Sequence, residues 1–177
     1  MSGAMPLDRM LRGNHFLPMS IRIILLGLFI SAASVFTTTF AKADNAQDAY
    51  ANGDYKAAMQ LWKTQAHTGD VVAMFGIGDL YLLGEGVPKD HAEAAKWYRR
   101  AAELGYGRAQ SYLGAMYRNG DGVPQNKDEA LRWYHKAADQ NIPAALNALG
   151  DMYLNGEGVP KSESEAMKWY QKLHDAN

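Results

Sequence analysis

The chain has 177 residues, no cysteine, and nearly balanced charge, with 18 Lys and Arg against 19 Asp and Glu. From Asp44 onward it carries 14 basic and 18 acidic residues, a net charge of −4, which is a poor electrostatic footprint for nucleic acid. With no thiol there is no disulfide framework and no cysteine chemistry, so packing alone must supply stability.

Residues 1–43 read as a targeting segment. Met19-Ser20-Ile21-Arg22 is a short basic start, Ile23 to Phe36 is an apolar run broken weakly by Ser31 and Ser34, and Ala41-Lys42-Ala43 fits the small-x-small pattern of signal peptidase. The run is shorter than the roughly 20 residues a membrane span needs. The expectation is an export signal cut after Ala43, with an uncleaved anchor as the alternative. Met19 is a second candidate start. Residues 44–177 then form the exported domain, periplasmic or secreted.

A partial unit comes next, over 54–68. Asp54 opens a helix that runs to His67, with Ala58, Leu61 and Trp62 in register with Ala94, Trp97 and Tyr98 further on. This reads as a second helix without its partner, serving as the N-terminal cap of an array.

Three full units follow, about 70–105, 106–141 and 142–177. Gly-Glu-Gly-Val-Pro at 84–88 recurs as Gly-Asp-Gly-Val-Pro at 120–124 and Gly-Glu-Gly-Val-Pro at 156–160. Trp97-Tyr98, Trp133-Tyr134 and Trp169-Tyr170 follow at the same 36-residue step. A period of this size means stacked two-helix units. The first helices are expected at about 70–83, 106–119 and 142–155, the second at about 91–104, 127–139 and 163–175. Gly84, Gly120 and Gly156 suit the left-handed residue that ends a helix, and Pro88, Pro124 and Pro160 block continuation. Asp90, Asn126 and Ser162 then stand as N-caps, each followed three residues later by Glu93, Glu129 or Glu165, a capping-box pattern.

Packing is equally periodic. Ala73, Ala109 and Ala145, with Gly78, Gly114 and Gly150, allow close helix approach, while Tyr81, Tyr117, Tyr153 and the Trp-Tyr pairs supply bulk. A buried aromatic contributes about 4–6 kcal/mol gross, but ordering a unit costs on the order of 1.5 kcal/mol per residue. A lone unit therefore cannot stand, and stacking is obligatory. In the last helix Leu173 and His174 replace Ala101 and Ala102. Its outer face, around Met167 and Leu173, is a candidate for weak self-association.

These residues resemble the Sel-1-like repeat, a relative of the tetratricopeptide repeat. The pattern Ala-x-x-x-x-Gly-x-x-Tyr-x-x-Gly-x-Gly-Val-Pro, then Ala-x-x-Trp-Tyr-x-x-Ala-Ala, runs through 73–102 and 109–138, and through 145–174 except at its end. The resemblance implies an all-α fold, a right-handed α/α superhelical solenoid. It also implies an exported bacterial-type adaptor that holds other proteins in signalling, secretion or envelope processes. Cysteine-rich exported members are linked to β-lactam binding or hydrolysis; without cysteines, that activity does not carry over.

Comparing the copies separates scaffold from variable positions. On the first helix, positions 73, 77, 81 and 84 stay alike, while 72, 75, 76, 79 and 83 largely change. At about 100° per residue the two sets lie on opposite faces. In related solenoids the first helix lines the concave side, so the variable stripe is the expected partner-binding set. It comprises Val72, Phe75, Asp79 and Leu83, then Arg108, Ser111, Tyr112 and Asn119, then Asn147, Asp151 and Asn155. Gly76, Ala115, Ala144 and Ala148 complete it. Aromatic and Arg side chains among these suit protein or peptide contact. The competing expectation is a solvated stripe with Val72, Phe75 and Leu83 tucked against the N-terminal cap.

Nothing else points to chemistry. His15, His67, His91, His135 and His174 share no metal-ligand spacing and read as solvated surface. Asp79 and Asp151 sit two units apart, some ~20 Å by layer spacing, too far to act as an acid–base pair. The Gly-Glu-Gly-Val-Pro loop lacks the Lys-Ser/Thr ending of a phosphate loop. The expectation is a non-enzymatic scaffold with no cofactor and no metal. It would hold or inhibit the outer part of an envelope sensor or a cell-wall enzyme. An enzyme or ligand binder acting on β-lactams or peptidoglycan is the alternative.

Overall fold

The computed structural model describes residues 45–176; the expected leader lies outside them. Helix α1 spans Ala46–Ala51, α2 Tyr55–His67, α3 Val71–Leu83, α4 His91–Glu103, α5 Gly107–Asn119, α6 Lys127–Ala138, α7 Pro143–Asn155 and α8 Glu163–Asp175. Each helix packs on the next in the chain, most extensively within the pairs α3–α4, α5–α6 and α7–α8, and α5 also touches α7. The result is an all-helical stack of helix pairs, built almost wholly from contacts between helices adjacent in the chain. No helix among the described residues is long and apolar enough to cross a membrane.

The helix ends follow from the residues that set them. Gly84, Gly120 and Gly156 adopt φ of 78°, 82° and 73°, and their N–H groups bond back to the carbonyls of Leu80, Met116 and Met152. Asp90 accepts from the amides of Ala92 and Glu93, Asn126 from Glu129, and Ser162 from Glu165. The reciprocal half of the expected capping box is absent. The cap residues' own N–H groups donate instead to the carbonyls of Tyr81, Tyr117 and Tyr153 at 2.9, 2.8 and 2.8 Å. The glutamates, released from that task, pair three residues on with Lys96, Arg132 and Lys168.

Layers are joined through the second glycine of each loop. Gly86, Gly122 and Gly158 have φ near 70°, and a Cβ there would strike Tyr55, the His91 carbonyl and Lys127 respectively. Those three residues open α2, α4 and α6, so each loop seats on the start of the second helix one layer earlier. Within a unit, Gly78 and Gly114 allow the rings of Tyr98 and Tyr134 to lie against the first helix, where a Cβ would come within 2.5 and 2.9 Å. Tyr98 and Tyr134 are consequently buried, with Ala73, Ala109, Ala145 and Leu113. An amide pair, Gln110 buried and Gln140 exposed, adds to the joint between layers: Gln140 donates to Gly105 and to Gln110, and Gln110 donates to Ala102.

Candidate functional site

The expected stripe divides into committed and uncommitted side chains. Phe75 is 4% exposed and Ser111 5%, so neither offers a side chain to a partner. Phe75 is buried because the next layer folds over it. Tyr98, Tyr106 and Tyr112 meet its ring at 5.2, 5.4 and 5.2 Å, and the Arg108 guanidinium stacks at 4.8 Å. Ser111 lies on α5, the first helix with full layers on both sides. Gly76 and Ala148 are buried as well, Gly76 against the indole of Trp62. Of the three side chains in the competing expectation, Phe75 alone is buried, and the rings that cover it come from α4 and the following layer; Val72 and Leu83 are exposed.

The rest of the stripe stays on the surface. Val72, Leu83, Arg108, Asn119, Asn147 and Asn155 are exposed, and Tyr112 is 39% exposed with its edge toward Phe75. Asp79 and Asp151 are half-buried, each tied to the tyrosine of its own second helix. Tyr98 donates to Asp79 at 2.6 Å and Tyr170 to Asp151 at 2.8 Å. Burial raises the Asp79 carboxyl above its usual range, against the pull of the Tyr98 hydroxyl and the Arg108 charge, with Glu85 adding to the rise. Burial also raises the Tyr98 hydroxyl, and the Asp79 charge pushes it the same way.

In the middle unit Ala115 replaces the aspartate, and Arg118 occupies that neighbourhood. Its Nε donates to Glu157 Oε2 at 2.9 Å and its terminal nitrogen to Oε1 at 2.7 Å, with Lys127 3.9 Å away. The pair joins α5 to the loop of the third unit and holds the Glu157 carboxyl below its usual range, mainly through the Arg118 hydrogen bonds. Neither residue belongs to the expected site. The signal available in the sequence is the loop acid, repeated as Glu85, Asp121 and Glu157. Glu85 sits beside the hydroxyls of Tyr50 and Tyr55. Burial and then Glu85 push Tyr50 up to about 12.

The histidines depart in part from the solvated reading. His135 is half-buried and meets Trp169 edge-on at 5.3 Å, and burial lowers its pKa. No cluster among the described residues has the make-up of a metal site. On α8, Met167 is 65% exposed while Leu173 is half-buried against the core formed by α6 and α7.

The Sel1 repeat model matches residues 71–106, 107–142 and 143–173, more than half of the chain. The chain is similar to a Sel1 repeat protein from Oxalobacter formigenes, at 37% identity and a TM-score of 0.70, covering 74% of this chain and 54% of that one. It is similar to a protective antigen of uropathogenic Escherichia coli strains with an SLR fold, at 34% identity and a TM-score of 0.71, covering 78% of this chain and 32% of that one. It also resembles an F-box protein of Arabidopsis thaliana, 33% identical over 73 residues, which is 41% of this chain and 20% of that protein. The chain thus spans about half of the first of these relatives and less of the others. With its three units, its capped loops and its stacked hairpins, this chain belongs to the Sel1 repeat family.

Proposed function

We propose that this protein is an exported scaffold, periplasmic or secreted, which holds a protein or peptide partner against the outward ribbon of its first helices. Sel1 repeat proteins are in general protein-interaction scaffolds. The observation that carries the reading is the ribbon itself. Val72, Leu83, Arg108, Tyr112, Asn119, Asn147 and Asn155 stay exposed while the opposite face of the same helices packs, and apart from the asparagine shared by 119 and 155 they differ from unit to unit. Exposed tyrosine and stacked arginine are the side chains that most often anchor interfaces. The partner class favoured is the outer part of an envelope sensor or a cell-wall enzyme, held or inhibited by occupation of space. Catalysis on β-lactams or peptidoglycan has less support, because Asp79 and Asp151, the carboxylates it would draw on, are each bonded to a tyrosine.

The test is photo-crosslinking in cells from Tyr112, with Lys96 on the exposed side of α4 as control. A distinct protein captured at Tyr112 and absent at Lys96 supports the scaffold. Equal capture at both sites contradicts it. N-terminal sequencing of the mature protein tests export: a chain beginning at Asp44 is the expected result.

A further inference from the structure

Among the described residues, Glu85 has no ion pair like the one its equivalent Glu157 makes, and Asp79 feels the Arg108 charge without pairing with it. At the boundary between the second and third units, Glu157 takes both forks of Arg118, and Asp151 acts on the same guanidinium. Subtracting two 36-residue steps carries Glu157 to Glu85, Asp151 to Asp79 and Tyr134 to Trp62. It carries Arg118 to Ala46 and Lys127 to Tyr55. The acids are therefore repeated at the boundary between α2 and the first unit, but the cations are not. The middle boundary has no such pair, since Ala115 stands where the aspartate would be and Asp121 is exposed.

The surroundings of Glu85 and Asp79 are aromatic. Tyr50 lies 5.3 Å from Tyr55 and 5.5 Å from Trp62, and Tyr98 lies 5.3 Å from Tyr112. Glu85 raises the Asp79 carboxyl, so the two charges are close enough to repel. Glu85 Oε2 is buried and accepts no hydrogen bond, and the buried Trp62 indole N–H has no acceptor. Arg108 stacks on Phe75 and forms no ion pair with either acid among the described residues. Carboxylates flanked by aromatic faces attract guanidinium and ammonium groups, by charge and by the ring quadrupole.

We infer that this cradle of Glu85, Asp79, Tyr50 and Tyr55 receives an arginine or lysine side chain of the partner protein, which takes in trans the place Arg118 takes within the chain. This rests on the scaffold reading and narrows the partner to one that presents a basic segment.

The test titrates the purified protein with a blocked tetra-arginine peptide, with tetra-citrulline as the neutral isostere, and follows the Trp62 indole resonance by NMR. Tetra-arginine is expected to bind saturably and tetra-citrulline not to bind. Glu85→Gln and Asp79→Asn should each weaken tetra-arginine at least about tenfold, and Glu157→Gln should leave it unchanged. Circular dichroism checks each variant's fold; if Glu85→Gln unfolds, Asp79→Asn decides alone. Equal binding of tetra-citrulline, or full affinity in the cradle variants, overturns the inference. So does an equal loss in Glu157→Gln, which would mark a general surface attraction. A partner captured from Tyr112 that is indifferent to Glu85→Gln also overturns it and leaves the scaffold standing. Tetra-arginine binding with no partner captured does the reverse.

Discussion

Tyr98 reaches across its hairpin to donate a 2.6 Å hydrogen bond to Asp79, tying the buried floor of the second helix to the outward ribbon of the first. The tyrosine can lie there because Gly78 presents no side chain to its ring. Removing the hydroxyl leaves a half-buried carboxylate oxygen without its donor, at about 1–3 kcal/mol. Tyr98→Phe should therefore lower the unfolding free energy by that amount. Tyr170→Phe, on a half-exposed ring in the last helix, should cost less than about 1 kcal/mol. Paired denaturant titrations check the difference.

The same carboxyl sets a pH dependence. Burial raises the folded-state Asp79 carboxyl above its usual range, so the folded state binds the proton more tightly than the unfolded state. The stability linked to this group is complete below the ordinary carboxylate pKa of about 3.9. It is lost as pH rises through the raised folded value. Asp79→Asn removes the charge that burial opposes. Its melting temperature relative to wild type should rise between pH 4 and pH 7; a constant difference would mean that Asp79 titrates normally.

Loop seating can be separated from backbone strain by two glycines. Gly105 and Gly122 have φ of 92° and 70°, but a Cβ at Gly105 meets nothing within 4 Å while one at Gly122 runs into the His91 carbonyl. Gly105→Ala should cost about 1 kcal/mol, the penalty of a left-handed alanine. Gly122→Ala should cost at least about 2 kcal/mol more, since backbone must move. Equal losses would show that the loops do not bear on the preceding layer.

The helix starts give a third contrast. Asn126→Ala removes a side chain that accepts from the Glu129 amide and should cost about 1 kcal/mol. Glu129→Ala removes only an exposed pair with Arg132 and should stay within about 0.5 kcal/mol. An equal cost would mean that the glutamate caps in solution after all.

Arg118 tests the joint between the last two units. Both it and Glu157 are only partly exposed, and the contact is bidentate, so Arg118→Ala should cost about 1–2 kcal/mol after allowance for solvent. Its local signature should be faster amide exchange in α7 and α8, with α2 and α3 unchanged. Because Arg118 lowers the Glu157 carboxyl, this contribution is present above the ordinary carboxylate range and fades as pH falls through the lowered value.

The helices of the three full units, the glycines that end their first helices and the N-caps were legible in the sequence because they are local and written three times; α1 was not, and it gives α2 the partner helix that the sequence reading denied it. Contacts between layers were not, because variation among copies was read as freedom. Phe75 differs from Ser111 and Asn147, yet it varies because Arg108 and Tyr112 of the next layer close over it. Gly76 differs from Tyr112 because it faces Trp62, whereas Tyr112 faces Tyr98. Such complementary variation cannot be told from surface drift within one aligned column. The second loop glycine escaped for a related reason: its partner lies 31 residues earlier, at Tyr55, His91 and Lys127. Arg118 was missed because leucine stands at its place in the other two units.

The ribbon of first-helix side chains is tested most directly by crosslinking along its length. Photoreactive residues at Asn119, Asn147 and Asn155 would be compared in cells with residues at Lys96, Arg132 and Lys168 on the second helices. One and the same protein captured from the first three positions, and from none of the others, is the expected result. Capture that is indifferent to which set of helices carries the probe would contradict it.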